Sequence, residues 1–150
     1  MRWQKGFSLI ELLIVVAMIG VITSIAVPSY ISSRRSARES AAISNIRTLI
    51  SAEGAFLSSS GGYTQYASLS QLTTQSLIES TFVNNGGVKD GYLFDLTQPD
   101  MTSYILTAAP QTADAALMRY FYADQSGVIR QNTGAAATAS SAPVSSGSGS

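Results

Sequence analysis

A long apolar run dominates the first quarter of the chain. Almost every residue between Phe7 and Val27 is apolar, and no charged side chain occurs from Leu12 to Ser33. A helix needs about 20 such residues to cross the hydrocarbon core of a bilayer. The pattern therefore predicts a membrane-spanning helix close to the N-terminus.

Beyond this run, the hydrophobic pattern becomes that of a helix with one buried face. Apolar residues recur at three- and four-residue intervals, at Ile43, Ile46, Leu49, Ile50, Ala52, Phe56 and Leu57. The charged residues of the same stretch are predicted mostly on the other faces: Arg38, Glu39, Arg47 and Glu53. We expect a single helix from Phe7 to Ser58, ended by the Ser- and Gly-rich residues 58–62.

Two residues inside the apolar part of this helix are predicted to weaken it. Pro28 has no backbone N–H to donate to the preceding turn, so we expect a kink there. Gly20 is predicted as a second weak point. The alternative is that both residues are simply tolerated, as Gly and Pro are in many membrane helices.

The residues that follow the helix predict a connecting loop with a short helix. Tyr63 and Tyr66 precede a group of apolar residues made up of Leu69, Leu72, Leu77 and Ile78. Residues 84–87, Asn-Asn-Gly-Gly, then predict a turn.

Alternating residues predict an antiparallel sheet in the last third of the chain. Residues 92–97 alternate with the period of a half-buried strand, and residues 98–100 predict the turn after it. Further strands are predicted at 104–107, at 119–123 and at 128–130. We predict an α+β fold, in which the C-terminal half of the long helix packs on a small antiparallel sheet of three or four strands. The hydrophobic half of the helix is expected to protrude.

The end of the chain has a monotonous composition. Residues 134–150 are almost entirely Ala, Ser, Thr and Gly. Such a segment cannot form a hydrophobic core, so we predict a disordered tail.

Composition and charge argue against several functions. Nine basic and nine acidic residues balance, so nothing favours electrostatic capture of nucleic acid, and no nucleic-acid partner is predicted. The chain has no cysteine for a disulfide and no histidine, the commonest general base and metal ligand. Asp114 and Asp124 lie in no recognisable calcium loop. We predict neither a catalytic site, a cofactor nor a metal, and hence no enzyme.

Glu11 is the one carboxylate close to the start of the apolar run. An ionised side chain within a bilayer costs several kcal/mol and is a functional candidate by default. We therefore expect Glu11 to have a designated partner. A secretory signal or a plain signal anchor is the alternative, although neither hypothesis accounts for Glu11. For Glu11 itself, the alternative is a carboxylate that has an intramolecular partner or is exposed to water near the interface.

The residues Gly-Phe-Ser-Leu-Ile-Glu-Leu-Leu at positions 6–13 resemble the processing site of type IV prepilins and of type II secretion pseudopilins. The matching region extends from about Lys5 to Tyr30, and within the family the chain is most like a type IVa pilin. The resemblance implies cleavage between Gly6 and Phe7 and N-methylation of the new Phe7 amine. It also implies that Glu11 acts in assembly, by neutralising the N-terminus of a neighbouring subunit, and that the helix curves at Pro28.

The resemblance also implies an organisation and a set of partners. Residues 1–6 are a leader peptide, 7–30 a hydrophobic transmembrane and assembly helix, and 31–133 the rest of the helix with a globular domain, before the tail at 134–150. The partners implied are other pilin subunits, a prepilin peptidase that is also the N-methyltransferase, and an inner-membrane assembly platform with its ATPase. The chain is then expected in the inner membrane as a prepilin. After assembly it is expected in an extracellular pilus, serving adhesion, motility or DNA uptake, or in a periplasm-spanning filament.

Two alternatives remain open from the sequence. The shared motif does not separate a pilin from a pseudopilin of a type II secretion or competence system. A signal-anchored periplasmic binding or sensor domain is an alternative of another class. Three arginines that follow the apolar run, Arg34, Arg35 and Arg38, fit contact with lipid headgroups or neighbouring subunits, or a solvated helix face.

Overall fold

The computed structural model describes residues 6–59, 65–100 and 102–144, and it divides into two compact units. The first unit is Met1–Ser36 and the second is Ala37–Ser150. The first helix, α1, comprises Leu9–Ser59 and therefore has residues in both units. The predicted long helix is confirmed to within two residues at either end.

In the first unit, α1 carries apolar side chains on all its faces. The helix is not interrupted at Pro28, although this residue has no backbone N–H to donate to the preceding turn. Two hydroxyl groups in this part bond back to the helix itself: the Thr23 hydroxyl donates to the Ile19 carbonyl at 2.9 Å and the Ser24 hydroxyl to the Val21 carbonyl at 2.8 Å. Both donors are thus satisfied without water, as a segment in an apolar environment requires.

The second unit contains an antiparallel sheet in which every strand pairs with its neighbour in sequence. Its strands are β1 (Val88–Lys89), β2 (Tyr92–Asp100), β3 (Ser103–Pro110), β4 (Arg119–Asp124), β5 (Arg130–Thr133) and β6 (Ala142–Pro143), in the order β1-β2-β3-β4-β5-β6. Short helices connect some of these elements: α2 (Leu69–Thr74) and 3-10 turns at Ser80–Phe82, Asn84–Gly87 and Ala115–Leu117. The α+β class is confirmed. Within the described residues the sheet has six strands rather than three or four, and β1 and β6 were not predicted because they are too short to show an alternating pattern.

The core of the second unit lies between one face of α1 and one face of the sheet. The α1 face consists of Ala42, Ile46, Leu49, Ala52, Glu53 and Phe56. Residues of β3 alternate regularly between half-buried and buried, and Tyr104, Leu106 and Ala108 point into the core. Two pairs of aromatic rings fill it further: Phe82 with Phe94, at 5.4 Å between centroids, and Tyr92 with Phe121, at 5.8 Å. Glu53, predicted mostly away from the buried face, belongs to that face.

Polar contacts fix α1 to the sheet at its edges. Glu39 accepts hydrogen bonds from the Arg119 backbone N–H at 3.0 Å and from its Nε at 2.8 Å. The Asn45 amide donates to the Asp90 carboxylate at 2.9 Å. Asp90 and Gly91 form the two-residue turn between β1 and β2, with φ of 52° and 81°. An Asp-Gly pair suits this turn, since both positions require positive φ.

Two predictions about the sheet need correction. Residues 98–100, predicted as a turn, belong to β2, whose register shifts between Thr97 and Asp100. Proline is tolerated in a strand at such an irregularity, so the Gln-Pro-Asp sequence at residues 98–100 did not indicate a turn here. The last predicted strand, at 128–130, begins only at Arg130 and continues to Thr133.

The structure also differs from the predicted tail. Within residues 134–144, Ala137 is buried, the Val144 N–H donates to the Ile129 carbonyl at 2.8 Å, and β6 pairs with β5. A Cβ at Gly134 would lie 2.8 Å from the Ala116 carbonyl oxygen, so the backbone passes there only because the residue is glycine. Edge pairing and a close turn, neither of which needs large apolar residues, hold this segment. Residues 145–150 lie outside the described residues, as do Tyr63 and residues 60–62 of the predicted helix stop.

Candidate processing and assembly site

The predicted cleavage position lies immediately before the first helix. Gly6, Phe7 and Ser8 are not helical and are exposed, with 79% of Phe7 accessible. Among the described residues, apart from the chain neighbours of Gly6, no atom lies within 4 Å of the position that a Cβ would take at this glycine. Because the Gly6–Phe7 peptide bond precedes α1, a protease could cut it without unwinding the helix. The rest of the predicted leader, residues 1–5, lies outside the described residues.

Glu11 lies in the first turn of α1 and has a partner within the chain. Its Oε2 accepts a hydrogen bond from the Ser8 backbone N–H at 3.0 Å. Ser8 and Glu11 occupy the first and last positions of a Ser-x-x-Glu sequence, and the contact is one half of a capping box. A carboxylate here also interacts favourably with the positive end of the helix dipole. An intramolecular partner for Glu11 was an alternative from the sequence, but this capping contact was not predicted, although the Ser-x-x-Glu spacing is readable in the sequence.

The capping contact leaves Glu11 able to bind a further donor. A carboxylate has two oxygens with about four lone-pair sites, and one hydrogen bond uses one of them. A free amine at Phe7 would place a positive charge beside the N-terminus of α1, where the helix dipole opposes it. Glu11 is the acidic residue of this turn and offsets that repulsion.

The helix that follows exposes a continuous apolar surface. Large apolar side chains between Leu9 and Ile31 are 43% to 81% accessible: Leu9, Ile10, Leu12, Leu13, Ile14, Val15, Val16, Met18, Ile19, Val21, Ile22, Ile25, Val27 and Ile31. By length and composition α1 is able to cross a membrane, a test that a signal sequence near an N-terminus also passes. An apolar surface of this size is not left in water by a stable protein. The first unit therefore needs a bilayer or another protein around it.

Gly20 and Pro28 both lie on this surface. The space beside Gly20 is open: among the described residues, apart from its chain neighbours and the backbone of the adjoining helical turns, no atom lies within 4 Å of a Cβ placed there. Packing within the chain thus gives no reason for a glycine, whereas a second helix could approach closely at this point. Further along, the Arg34 guanidinium lies 5.6 Å from the centre of the Tyr30 ring, a cation–π contact at the end of the apolar run.

The second unit offers no comparable chemical site. Among the described residues, no group of three or more potential ligands is arranged to hold a metal ion. Asp124, weighed from the sequence as a calcium ligand, accepts a hydrogen bond from the Ser126 N–H at 2.9 Å in the turn after β4. The Ser126 hydroxyl, together with this N–H, holds the pKa of Asp124 below its usual range. The carboxylate thus has a structural role in the turn.

Comparison with known proteins agrees with the N-terminal motif. Residues 1–27 match the family model of the prokaryotic N-terminal methylation motif. The chain is 39% identical over 64 residues to the type IV major pilin protein PilA of Myxococcus xanthus, and 45% identical over 58 residues to a fimbrial protein of Pseudomonas aeruginosa. It is 33% identical over 88 residues to a fimbrial protein of Neisseria meningitidis. No solved structure is significantly similar to the chain.

These similarities cover part of each protein. They extend over 43%, 38% and 59% of this chain and over 29%, 38% and 52% of the three relatives, in the order given. The chain thus spans at most about half the length of these curated relatives. The resemblance to type IV pilins is confirmed: the chain carries their N-terminal methylation motif and is similar to them over as much as 59% of its length.

Proposed function

We propose that this chain is the structural subunit of a type IV pilus-like filament. It enters the inner membrane as a prepilin, is cleaved after Gly6, is N-methylated at Phe7, and polymerises into a helical fibre. The observation that carries the proposal is the exposed apolar surface of residues 9–31, which begins directly after the processing motif and carries Glu11 in its first turn.

The apolar surface suits both the subunit in the membrane before assembly and the subunit in the fibre. Burial of apolar area contributes about 25 cal/mol per Å², whether the cover is lipid or protein. Transfer from the bilayer into a bundle of like helices therefore keeps the apolar side chains out of water. When copies contact one another head to tail and the contacts do not close into a ring, an open fibre results. One repeated interface is sufficient for a fibre of any length.

Glu11 has a proposed role in setting the register of that bundle. The new Phe7 amine of a neighbouring subunit supplies an opposite charge, and the carboxylate retains acceptor capacity beyond its contact with Ser8. A buried ion pair adds little net stability, yet removing one member leaves the other charge unpaired at a cost of about 3 to 5 kcal/mol. Subunits docked out of register would leave both charges unpaired and are therefore disfavoured.

The proposed processing requires further proteins. A prepilin peptidase that also N-methylates would recognise the motif ending at Phe7, and a membrane platform with its ATPase would drive assembly. The curated relatives are called pilins or fimbrial proteins, which favours this proposal over a pseudopilin or an anchored sensor domain. Adhesion, motility and DNA uptake are the proposed uses of the fibre.

Mass spectrometry of the N-terminal peptide tests the proposal most directly. The protein would be isolated from native membranes and from surface material sheared off the cells, and its N-terminal peptide would be analysed from both fractions. We expect a mature chain that begins at methylated Phe7 and is abundant in the sheared fraction. The same mature chain confined to membranes would favour a pseudopilin, and a chain that keeps Met1 in its native host would contradict the proposal.

A matched pair of glycine variants identifies what the peptidase recognises. Gly6→Val adds a branched side chain at the cleavage position, and Gly20→Val adds the same side chain within α1; both positions have open space. We expect unprocessed chain from Gly6→Val only. Equal processing of both variants would show that Gly6 is not part of the recognised motif.

A further inference from the structure

Glu53 is a charged side chain enclosed in the core of the second unit. It is 1% accessible and lies on the α1 face that packs on the sheet, between Leu49 and Phe56. Burial of an ionised carboxylate costs free energy unless the group is paired or neutralised. A carboxyl group at such a position therefore calls for an explanation beyond packing.

The two oxygens of Glu53 have different surroundings. Oε2 accepts a hydrogen bond from the backbone N–H of Ala67 at 2.9 Å, 14 residues further along the chain. Oε1 is buried and has no hydrogen-bond partner within residues 6–59, 65–100 and 102–144. A single hydrogen bond compensates only part of the desolvation of a carboxylate.

The hydrogen bond from Ala67 ties α1 to residues 65–68, which lead into α2. Ala67 itself is fully buried. The same segment has two further attachments: the Gln98 side chain donates to the Tyr66 carbonyl at 2.6 Å, and the Tyr66 ring packs edge-on against Tyr104 at 4.8 Å. Of the two side chains that hydrogen-bond to the backbone of this segment from outside it, Glu53 can titrate and Gln98 is neutral at every pH.

The groups that face Glu53 do not compensate its charge. Burial raises the pKa of Glu53 to about 7, and the Ala67 N–H only partly opposes this shift. Burial raises the pKa of the Tyr104 phenol on β3, and the Glu53 carboxylate raises it further, followed by Tyr66 and by Asp124 of β4. The raised pKa keeps the Tyr104 phenol neutral around pH 7. The neutral form of Glu53 is thus accessible under ordinary conditions.

We propose that Glu53 is a proton-controlled latch that holds residues 65–68 against α1 while the carboxyl group is neutral and favours their release once it is ionised. The physical reason is that release hydrates the carboxyl group. A hydrated carboxyl binds its proton more weakly than the buried one, so opening of the segment releases a proton. Opening should therefore become easier as the pH rises from about 4.5 to about 7, by at most about tenfold per pH unit, and then level off. The latch belongs to the second unit and does not depend on assembly into a fibre.

Amide hydrogen exchange of the full chain in detergent micelles tests the latch. Exchange at Ala67 would be measured between pH 5 and pH 8, corrected for intrinsic rates, in the wild type and in Glu53→Gln. Gln has the shape of the neutral acid and no proton to lose. We expect the opening equilibrium at Ala67 to rise with pH in the wild type and to stay constant in Glu53→Gln. In Gln98→Ala, the matched control that removes the neutral anchor, opening should increase by the same factor at every pH.

Three results would overturn the latch. One is an equal pH dependence of opening at Ala67 in the wild type and Glu53→Gln. Another is exchange at Ala67 with the same opening free energy as at Leu106 of β3, which would mean that the segment opens only when the whole unit unfolds. The third needs no variant: a Glu53 side-chain carboxyl signal that titrates below pH 5 in the ¹³C spectrum of the wild type.

Discussion

Two of the three carboxylates of α1, Glu11 and Glu53, have contrasting surroundings. Each accepts one backbone hydrogen bond, from Ser8 at 3.0 Å and from Ala67 at 2.9 Å. Glu53 is enclosed by the core of its own unit, whereas Glu11 is exposed at the start of an uncovered apolar surface. Glu53 is therefore surrounded by its own unit, although its Oε1 has no hydrogen-bond partner among the described residues, whereas the surroundings of Glu11 must come from a bilayer or from another protein.

The two parts of α1 that contain these carboxylates also differ in how their apolar side chains are covered. Residues 9–31 are apolar on all sides, a pattern that suits lipid or a bundle of helices. From Ala42 to Phe56, one face is apolar and meets the sheet of the same chain. Variants in the first unit should thus affect assembly without altering folding of the second unit, and variants in the second unit should do the opposite.

The largest effect is expected from Glu11→Ala. Loss of the carboxylate leaves the neighbouring Phe7 amine unpaired in every subunit contact, and each 1.4 kcal/mol lost weakens association about tenfold. Repeated along a fibre, this loss should reduce sheared fibres to background while the chain still inserts in the membrane. Immunoblots of sheared and membrane fractions measure both quantities.

Two control variants separate the roles of Glu11. Glu11→Gln keeps an oxygen that can accept from Ser8 and removes only the charge, so it should fail in assembly if the amine is the partner. Glu79→Ala removes an exposed carboxylate of the second unit and should assemble normally. Normal amounts of fibre from Glu11→Ala would contradict the proposed role of Glu11 in assembly.

The next largest effect is expected from a truncation in the core of the second unit. Phe121 is 1% accessible and packs against Tyr92, so Phe121→Ala should lower the free energy of unfolding by about 3 to 5 kcal/mol. Leu13→Ala, in the exposed surface of the first unit, should leave it unchanged. Denaturant unfolding of the full chain in micelles, followed by the near-ultraviolet circular dichroism of tyrosine, gives both values. Equal destabilisation by the two variants would contradict the division between the units.

Much of the fold could be predicted because the long elements have clear periodicity. The apolar run and the later three- and four-residue spacing predicted α1, and alternation predicted the middle strands. The two-residue strands β1 and β6 could not be predicted, since they have too few residues for a pattern and depend on pairing with an existing edge.

The candidate sites were predictable to different degrees. The processing motif at Gly6 and Phe7 was recognised from the sequence, and its role stays a prediction. The capping contact of Glu11 was missed, although Ser-x-x-Glu before an apolar run is a known helix-start signal. Burial of Glu53 was also missed because a charged residue was assumed to face water. Its spacing from Ile46, Leu49 and Phe56 nevertheless places it on the buried face.

A smaller, pH-dependent effect is expected from Glu53→Gln. A carboxyl whose pKa is raised by folding, here from 4.5 to about 7, contributes stability that is complete below pH 4.5 and is lost as the pH rises through about 7. Between pH 5 and pH 8, the wild type should thus lose about 2 kcal/mol more of its unfolding free energy than Glu53→Gln. Denaturant unfolding of the full chain in micelles at a series of pH values measures this difference. Groups whose pKa is lowered by folding, such as Asp124, make the unfolding free energy rise with pH instead. They are present in the wild type and in Glu53→Gln alike, so they do not contribute to the difference between the two.

The last two expected effects concern the ion pairs of the second unit, and the smaller of them belongs to the exposed pair. Glu39 is 12% accessible at its side chain and accepts from both the backbone and the guanidinium of Arg119. Glu39→Ala leaves those donors without their partner and should cost about 1 to 3 kcal/mol of unfolding free energy. The exposed pair of Glu79 and Lys89, at 2.8 Å, is screened by water, so Glu79→Ala should cause no measurable change. A larger loss from Glu79→Ala than from Glu39→Ala, measured by the same unfolding experiment, would mean that burial does not set the strength of these contacts.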